Sequence, residues 1–172
     1  MRRLLSARLL ILVVILLALE YTFSPFFYLL RGRIDLLYLL ILDYAFFWSW
    51  ERVPFFALLM GLLRDFIGGH MFGIETVSLT VTGLLLSLGT QKLERESFLI
   101  RLGLSLLFVL LTETLSLSLG SWLETSQGLS FDLMGSVFWT TIYTTALAPI
   151  FFRLTNHWFK RTSFLRQYEL FR

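Results

Sequence analysis

The 172-residue chain contains no cysteine. Disulfides, thiolate nucleophiles, iron–sulfur clusters and cysteine zinc sites are therefore excluded. There are three prolines and no low-complexity linker, so one compact domain with short tails is the simplest partition. Histidine occurs only at His70 and His157, far apart in the chain. Neither a His-Glu-x-x-His motif nor a glycine-rich phosphate loop is present, which removes the usual zinc-hydrolase and nucleotide-binding patterns. Charge is scarce as well: 16% of residues are charged, against about 25% in an ordinary soluble domain. Apolar and aromatic residues fill the space left. Hydrophobic residues make up 56% of the chain, with 18 Phe, 5 Trp and 6 Tyr, and mean hydropathy is +0.74. This composition reads as an integral membrane protein. The net charge of +3 does not point to nucleic acid, because the basic residues flank apolar runs.

Six apolar segments can be marked: 9–23, 34–50, 53–69, 76–90, 102–120 and 133–152. Several lie near the lower limit of about 17 residues for a spanning helix. The expectation is an all-α membrane protein with six transmembrane helices in one bundle. The run after Met1-Arg2-Arg3 has no small-x-small cleavage pattern near Ala18-Leu19-Glu20 and reads as a retained first helix. Only Glu51-Arg52 separates the second and third segments, which predicts a tight hairpin. Pro54 suits the first turn of the third. With the N-terminus inside, 12 of the 15 Lys and Arg residues fall on cytoplasmic pieces. The positive-inside rule then makes both termini cytoplasmic. Trp48 and Trp50 fall at the inner interface and Trp122 at the outer one, as aromatic belts do. Residues 1–152 form the expected transmembrane domain. Residues 153–172, with Trp158 and Phe159 among five bases, form a basic amphipathic cytoplasmic tail or a plain stop-transfer flank.

The chain is organised around Gly61-Leu62-Leu63-Arg64-Asp65-Phe66-Ile67-Gly68-Gly69-His70-Met71-Phe72-Gly73. An ionised side chain at a helix centre in lipid costs about 2.5–3.5 kcal/mol, so Arg64 and Asp65 are expected to turn inward. Gly61, Asp65 and Gly69 recur every fourth residue and share one helix face. Small residues at that spacing let a second backbone come close. Other acids within or near the segments are Glu20, Asp35, Asp43 and Glu113, with Asp35 expected at the outer interface. Arg64 is the one base among them, and Asp65, Glu113 and Glu20 are its candidate partners. Hydroxyl and glycine stripes recur at helical spacing: Thr76, Thr80, Gly83, Ser87; Thr112, Ser116, Gly120; Ser136, Thr140, Thr144. They are expected to serve helix packing. A polar cavity is the competing reading. Asp65 and Glu113 are the only acid–base pair worth weighing, and no metal, cofactor or nucleophile is marked. The expected protein is not an enzyme.

The glycine–aspartate stretch, followed by Phe72-Gly73-Ile74, resembles the G-L-x-x-D-x-x-x-(G)-x-x-G-x pattern of the MreD family of bacterial rod shape-determining membrane proteins. Length, six-segment layout and the following helix with Leu79, Thr80, Gly83 and Leu84 are also similar. The family's Pro-Asp at the start of the second span is here Ile34-Asp35, which keeps the acid and lacks the proline. The resemblance implies a non-enzymatic scaffold of the elongation complex in the bacterial cytoplasmic membrane, helping to position peptidoglycan synthesis and maintain cell shape. It implies binding to MreC, in company with MreB, RodZ, RodA and a class B penicillin-binding protein. It also implies a fold similar to the six-helix substrate-binding subunits of energy-coupling-factor transporters, so a vitamin-type small-molecule binder is the alternative function. Gly61, Asp65 and Gly73 are the family-like positions. Gly69, Arg64 and Glu113 join the structural and partner-binding set on physical grounds.

Overall fold

A computed structural model describes residues 11–20, 22, 32–47, 50–68, 72–90, 98–123 and 131–169, without the side chains of 47, 50, 131, 132 and 156–169. Among the described residues the chain is all-helical. The helices are α1 (Ile11–Glu20), α2 (Leu36–Phe47), α3 (Val53–Gly68), α4 (Ile74–Thr90), α5 (Phe98–Leu123) and α6 (Phe131–Glu169). A 3-10 turn, Trp50–Arg52, leads directly into α3, with Pro54 in that helix's first turn.

The centre of the fold is α2. Every side chain from Leu37 to Phe46 is buried, so this helix has no outer face. It packs against α3, α4, α5 and α6, while α1 adds Val13, Leu16 and Leu17 to the same core. A helix of 12 residues is about 18 Å long, shorter than a hydrocarbon layer of about 30 Å. Among the described residues, only α5 and the Leu133–Thr155 part of α6 are both long and apolar enough to cross a membrane. The surrounding helices have two-sided character. α3 buries Val53, Phe56, Ala57, Met60, Gly61, Arg64 and Asp65 and turns Phe55, Leu59, Leu63 and Phe66 outward. α4 and α5 follow the same plan, burying Thr82 and Leu86, and Phe108 and Thr112, while exposing Leu85 and Leu107. The polar groups are thus on the inside of several helices and the large apolar groups on the outside.

α3 and α4 make the most extensive helix pair in the fold. Gly61 is the reason they can. A β-carbon built there would sit 2.5 Å from Thr76 Cα and 3.1 Å from Glu75 O, both backbone atoms that cannot move aside. The turn between the two helices ends at Gly73, whose φ of +104° is one that side chains with a β-carbon rarely adopt. Gly69, expected on the same face, lies outside the described residues, as do Trp48 and His70. α6 continues through Arg153 without a break to Glu169 and holds Pro149 within it. The side chains on which an amphipathic tail would rest lie outside the description.

Candidate functional site

Asp65 and Arg64 are neighbours in sequence, yet their side chains serve different structures. Asp65 reaches across the turn to the start of α4. Its carboxylate accepts hydrogen bonds from the backbone amides of Gly73 at 2.9 Å, Glu75 at 3.1 Å and Thr76 at 3.0 Å, and also from the Thr76 hydroxyl. The first amides of a helix have no partner within it. A carboxylate satisfies them and lies favourably at the positive end of the helix dipole. Asp65 is therefore the cap of α4, supplied by α3. Sequence spacing made it a candidate partner for Arg64 and for Glu113. Among the described residues it pairs with neither, because the α4 amides consume its oxygens.

Arg64 points to the bundle centre. It pairs with Asp35, donating from Nη2 to Oδ1, and lies 3.5 Å from Glu20 Oε1 of α1. Its guanidinium also stacks over the Tyr38 ring, 4.8 Å from the centroid. Two sequence-level expectations are corrected here. Asp35, expected to be solvated at the outer interface, is fully buried among other side chains. Arg64 is not the sole base, because Arg33 joins it. The segment 32–35 is held in place by α6, with the Arg33 amide donating to Thr140 Oγ1 at 3.1 Å and the Asp35 amide to Thr144 Oγ1 at 3.2 Å. This turns the Arg33 side chain inward. Its Nε donates to Asp35 Oδ2 at 3.1 Å, and its Nη2 lies 2.8 Å from Glu113 Oε1 of α5 and 3.3 Å from Glu75 Oε1 of α4.

Tyr38 closes the network. Its hydroxyl is 3.0 Å from Glu113 Oε1 and 3.2 Å from Glu75 Oε2. The Ser116 hydroxyl adds a longer contact of 3.4 Å to Glu75 Oε1. Four carboxyl groups (Glu20, Asp35, Glu75, Glu113) thus meet two guanidiniums (Arg33, Arg64) and one phenol. All six helices contribute, since the Thr140 and Thr144 hydroxyls of α6 fix the segment that bears Arg33 and Asp35. Ion pairs in a low-dielectric interior are strong, but removing their water is expensive, so their net gain is small. Losing one partner is what costs, because the other charge stays buried. Such a network specifies which helix sits beside which more than it adds stability.

Of the six residues singled out from sequence, Arg64 and Glu113 meet in this cluster. Asp65, Gly61 and Gly73 instead build the adjoining α3–α4 junction, and Gly69 is outside the description. Arg33, Tyr38 and Glu75 were missed. Arg33 and Glu75 fall at segment ends, where sequence reads charge as solvated, and Tyr38 sits in an apolar run. The available signal was the Arg33-x-Asp35 spacing immediately before a helix with no polar face. The hydroxyl stripes divide between roles. Thr140 and Thr144 clamp the segment before α2, Thr82 and Thr112 lie 3.0 Å apart between α4 and α5, and Thr80 and Ser87 bond back to their own helix. Asp43 of α2 is buried away from the cluster, near Thr155 and Arg101. Among the described residues no group of His, Asp and Glu has the arrangement to hold a metal ion. Comparison with protein-family models, with curated proteins and with solved structures finds no match.

Proposed function

We propose that the chain is an MreD-like scaffold of the bacterial cytoplasmic membrane, a bundle of six spans that holds the single membrane helix of an MreC-type partner and helps organise side-wall peptidoglycan synthesis. The observation that supports this best is the division of chemistry between inside and outside. In the interior, charged side chains from four helices and the segment before α2 are spent on one another and on a helix terminus. The exterior is strongly apolar, with Phe55, Phe66, Leu99, Phe138, Ile150 and Leu154 each at least half exposed. Contiguous apolar surface of this kind is covered by lipid or by protein. Helices shorter than a hydrocarbon layer can sit in such a bundle when longer ones such as α5 and α6 surround them. A surface dominated by large apolar side chains suits packing against another helix.

The test is co-purification. A tagged single-span partner encoded beside the chain is expressed with it, and capture is measured with cell shape as the second readout. Wild type is expected to retain the partner, and Asp65→Leu to lose it, because α3 and α4 no longer hold their register. Undiminished capture and rod shape with Asp65→Leu would remove the scaffold role of this junction. A tightly bound metabolite recovered by mass spectrometry from the purified chain would replace the scaffold with the vitamin-binder reading.

A further inference from the structure

Tyr38 Oη lies within hydrogen-bonding distance of two carboxyl oxygens, Glu113 Oε1 at 3.0 Å and Glu75 Oε2 at 3.2 Å. A phenol carries one hydrogen. It can fill one of these contacts as donor. In the other the hydrogen has to come from the carboxyl side, with the phenol oxygen accepting it. Arg33 does not supply the missing hydrogen. The two hydrogens on its Nη2 are already directed at Glu113 Oε1, 2.8 Å away, and Glu75 Oε1, 3.3 Å away.

The charge count runs the same way. The groups facing this pair are Arg33 and Asp35 from the segment before α2, Arg64 from α3, Glu20 from α1 and the Ser116 hydroxyl from α5. From α6 the Thr140 and Thr144 hydroxyls are engaged by backbone amides. Among the described residues two guanidiniums leave an excess of two carboxyl groups. Arg64 is itself occupied by Asp35 and Glu20. Two carboxylates that share the same donors repel one another unless a proton lies between them.

We propose that Glu75, Tyr38 and Glu113 form a proton-sharing triad, in which the folded bundle holds one proton in common between the two carboxyl groups through the tyrosine hydroxyl. The proton belongs to the pair, not to one residue. The triad ties α4 and α5 to α2, so the proton is a structural ligand of the fold.

The experiment is infrared spectroscopy of the purified chain carrying isotope-labelled glutamate. Wild type is expected to show a protonated carboxyl C=O band that moves with the glutamate label. Glu75→Gln and Glu113→Gln are each expected to weaken the band, since either variant leaves Tyr38 a single carboxyl to bond. The band is expected to survive Glu20→Gln, and Tyr38→Phe is expected to shift it. A wild-type spectrum without a glutamic acid band overturns the proposal, whether or not any variant folds. So does a band that keeps its full wild-type intensity in both Gln variants. No partner is needed for these readouts, so they stand or fall separately from the scaffold reading.

Discussion

Replacing Asp65 with leucine keeps its size and removes its oxygens. Three backbone amides at the start of α4 and the Thr76 hydroxyl then lose their acceptor. Loss of a side-chain cap costs about 0.5–2 kcal/mol. A buried amide left without a partner costs about 1–3 kcal/mol. The α4 terminus is only partly buried, so water recovers some of these bonds, and a sum of about 3–4 kcal/mol is expected. At about 2–4 °C per kcal/mol for a chain of this size, the melting point falls by roughly 6–16 °C. Tryptophan fluorescence of the detergent-solubilised chain follows this directly, since five tryptophans are available. Asp65→Asn retains one acceptor oxygen and should lose about half as much. The reasoning is refuted if Asp65→Leu melts within about 2 °C of wild type. It is also refuted if Asn and Leu are equally damaging, because charge rather than the hydrogen-bond acceptor would then be what matters.

Further expectations rest on other residues of the same region. Gly61→Ala drives a methyl group into the α4 backbone and should cost about 1–3 kcal/mol, whereas Gly89→Ala, with open space around it, should be neutral or stabilise by up to about 1 kcal/mol; parallel melting curves compare them. Arg64→Leu leaves Asp35 buried without that partner and should destabilise by about 3–5 kcal/mol, with Arg64→Lys doing less harm. A double-mutant cycle with Asp35→Asn should show coupling, and additive losses would remove the ion pair from the account. Thr140→Val and Thr144→Val each leave a backbone amide of the segment before α2 without its acceptor, at about 1–3 kcal/mol. Hydrogen exchange at Arg33 and Asp35 should rise in these variants, and unchanged protection would show that α6 does not hold the segment.

How much of this was legible in sequence depended on whether partners lie on one helix or on several. The positions of the helices followed from apolar runs, and each segment contains or overlaps a helix of the structure. Gly61 at helical spacing from Asp65 pointed to a close helix contact, and α4 is the helix that uses it. Periodicity has no knowledge of depth or of neighbours, however. It put Asp35 at an interface, and that residue is buried because Thr144 and two arginines gather around it. It joined Asp65 to Arg64 by adjacency, yet successive residues on a helix point about 100° apart. Composition assigns charge near a segment end to water, which hides Arg33 from a sequence reading. Its inward turn depends on Thr140, 107 residues later.

The wrapped position of α2 sets a problem for biogenesis. The second helix is made early, yet Arg33 waits 80 residues for Glu113, and the amide of Asp35 waits 109 for Thr144. A nascent chain halted after α4 carries acids and an arginine at the head of that helix with half their neighbours still unsynthesised. Only the emergence of the last helix completes the shell. Until then the most polar sequence of the fold stands without its later partners.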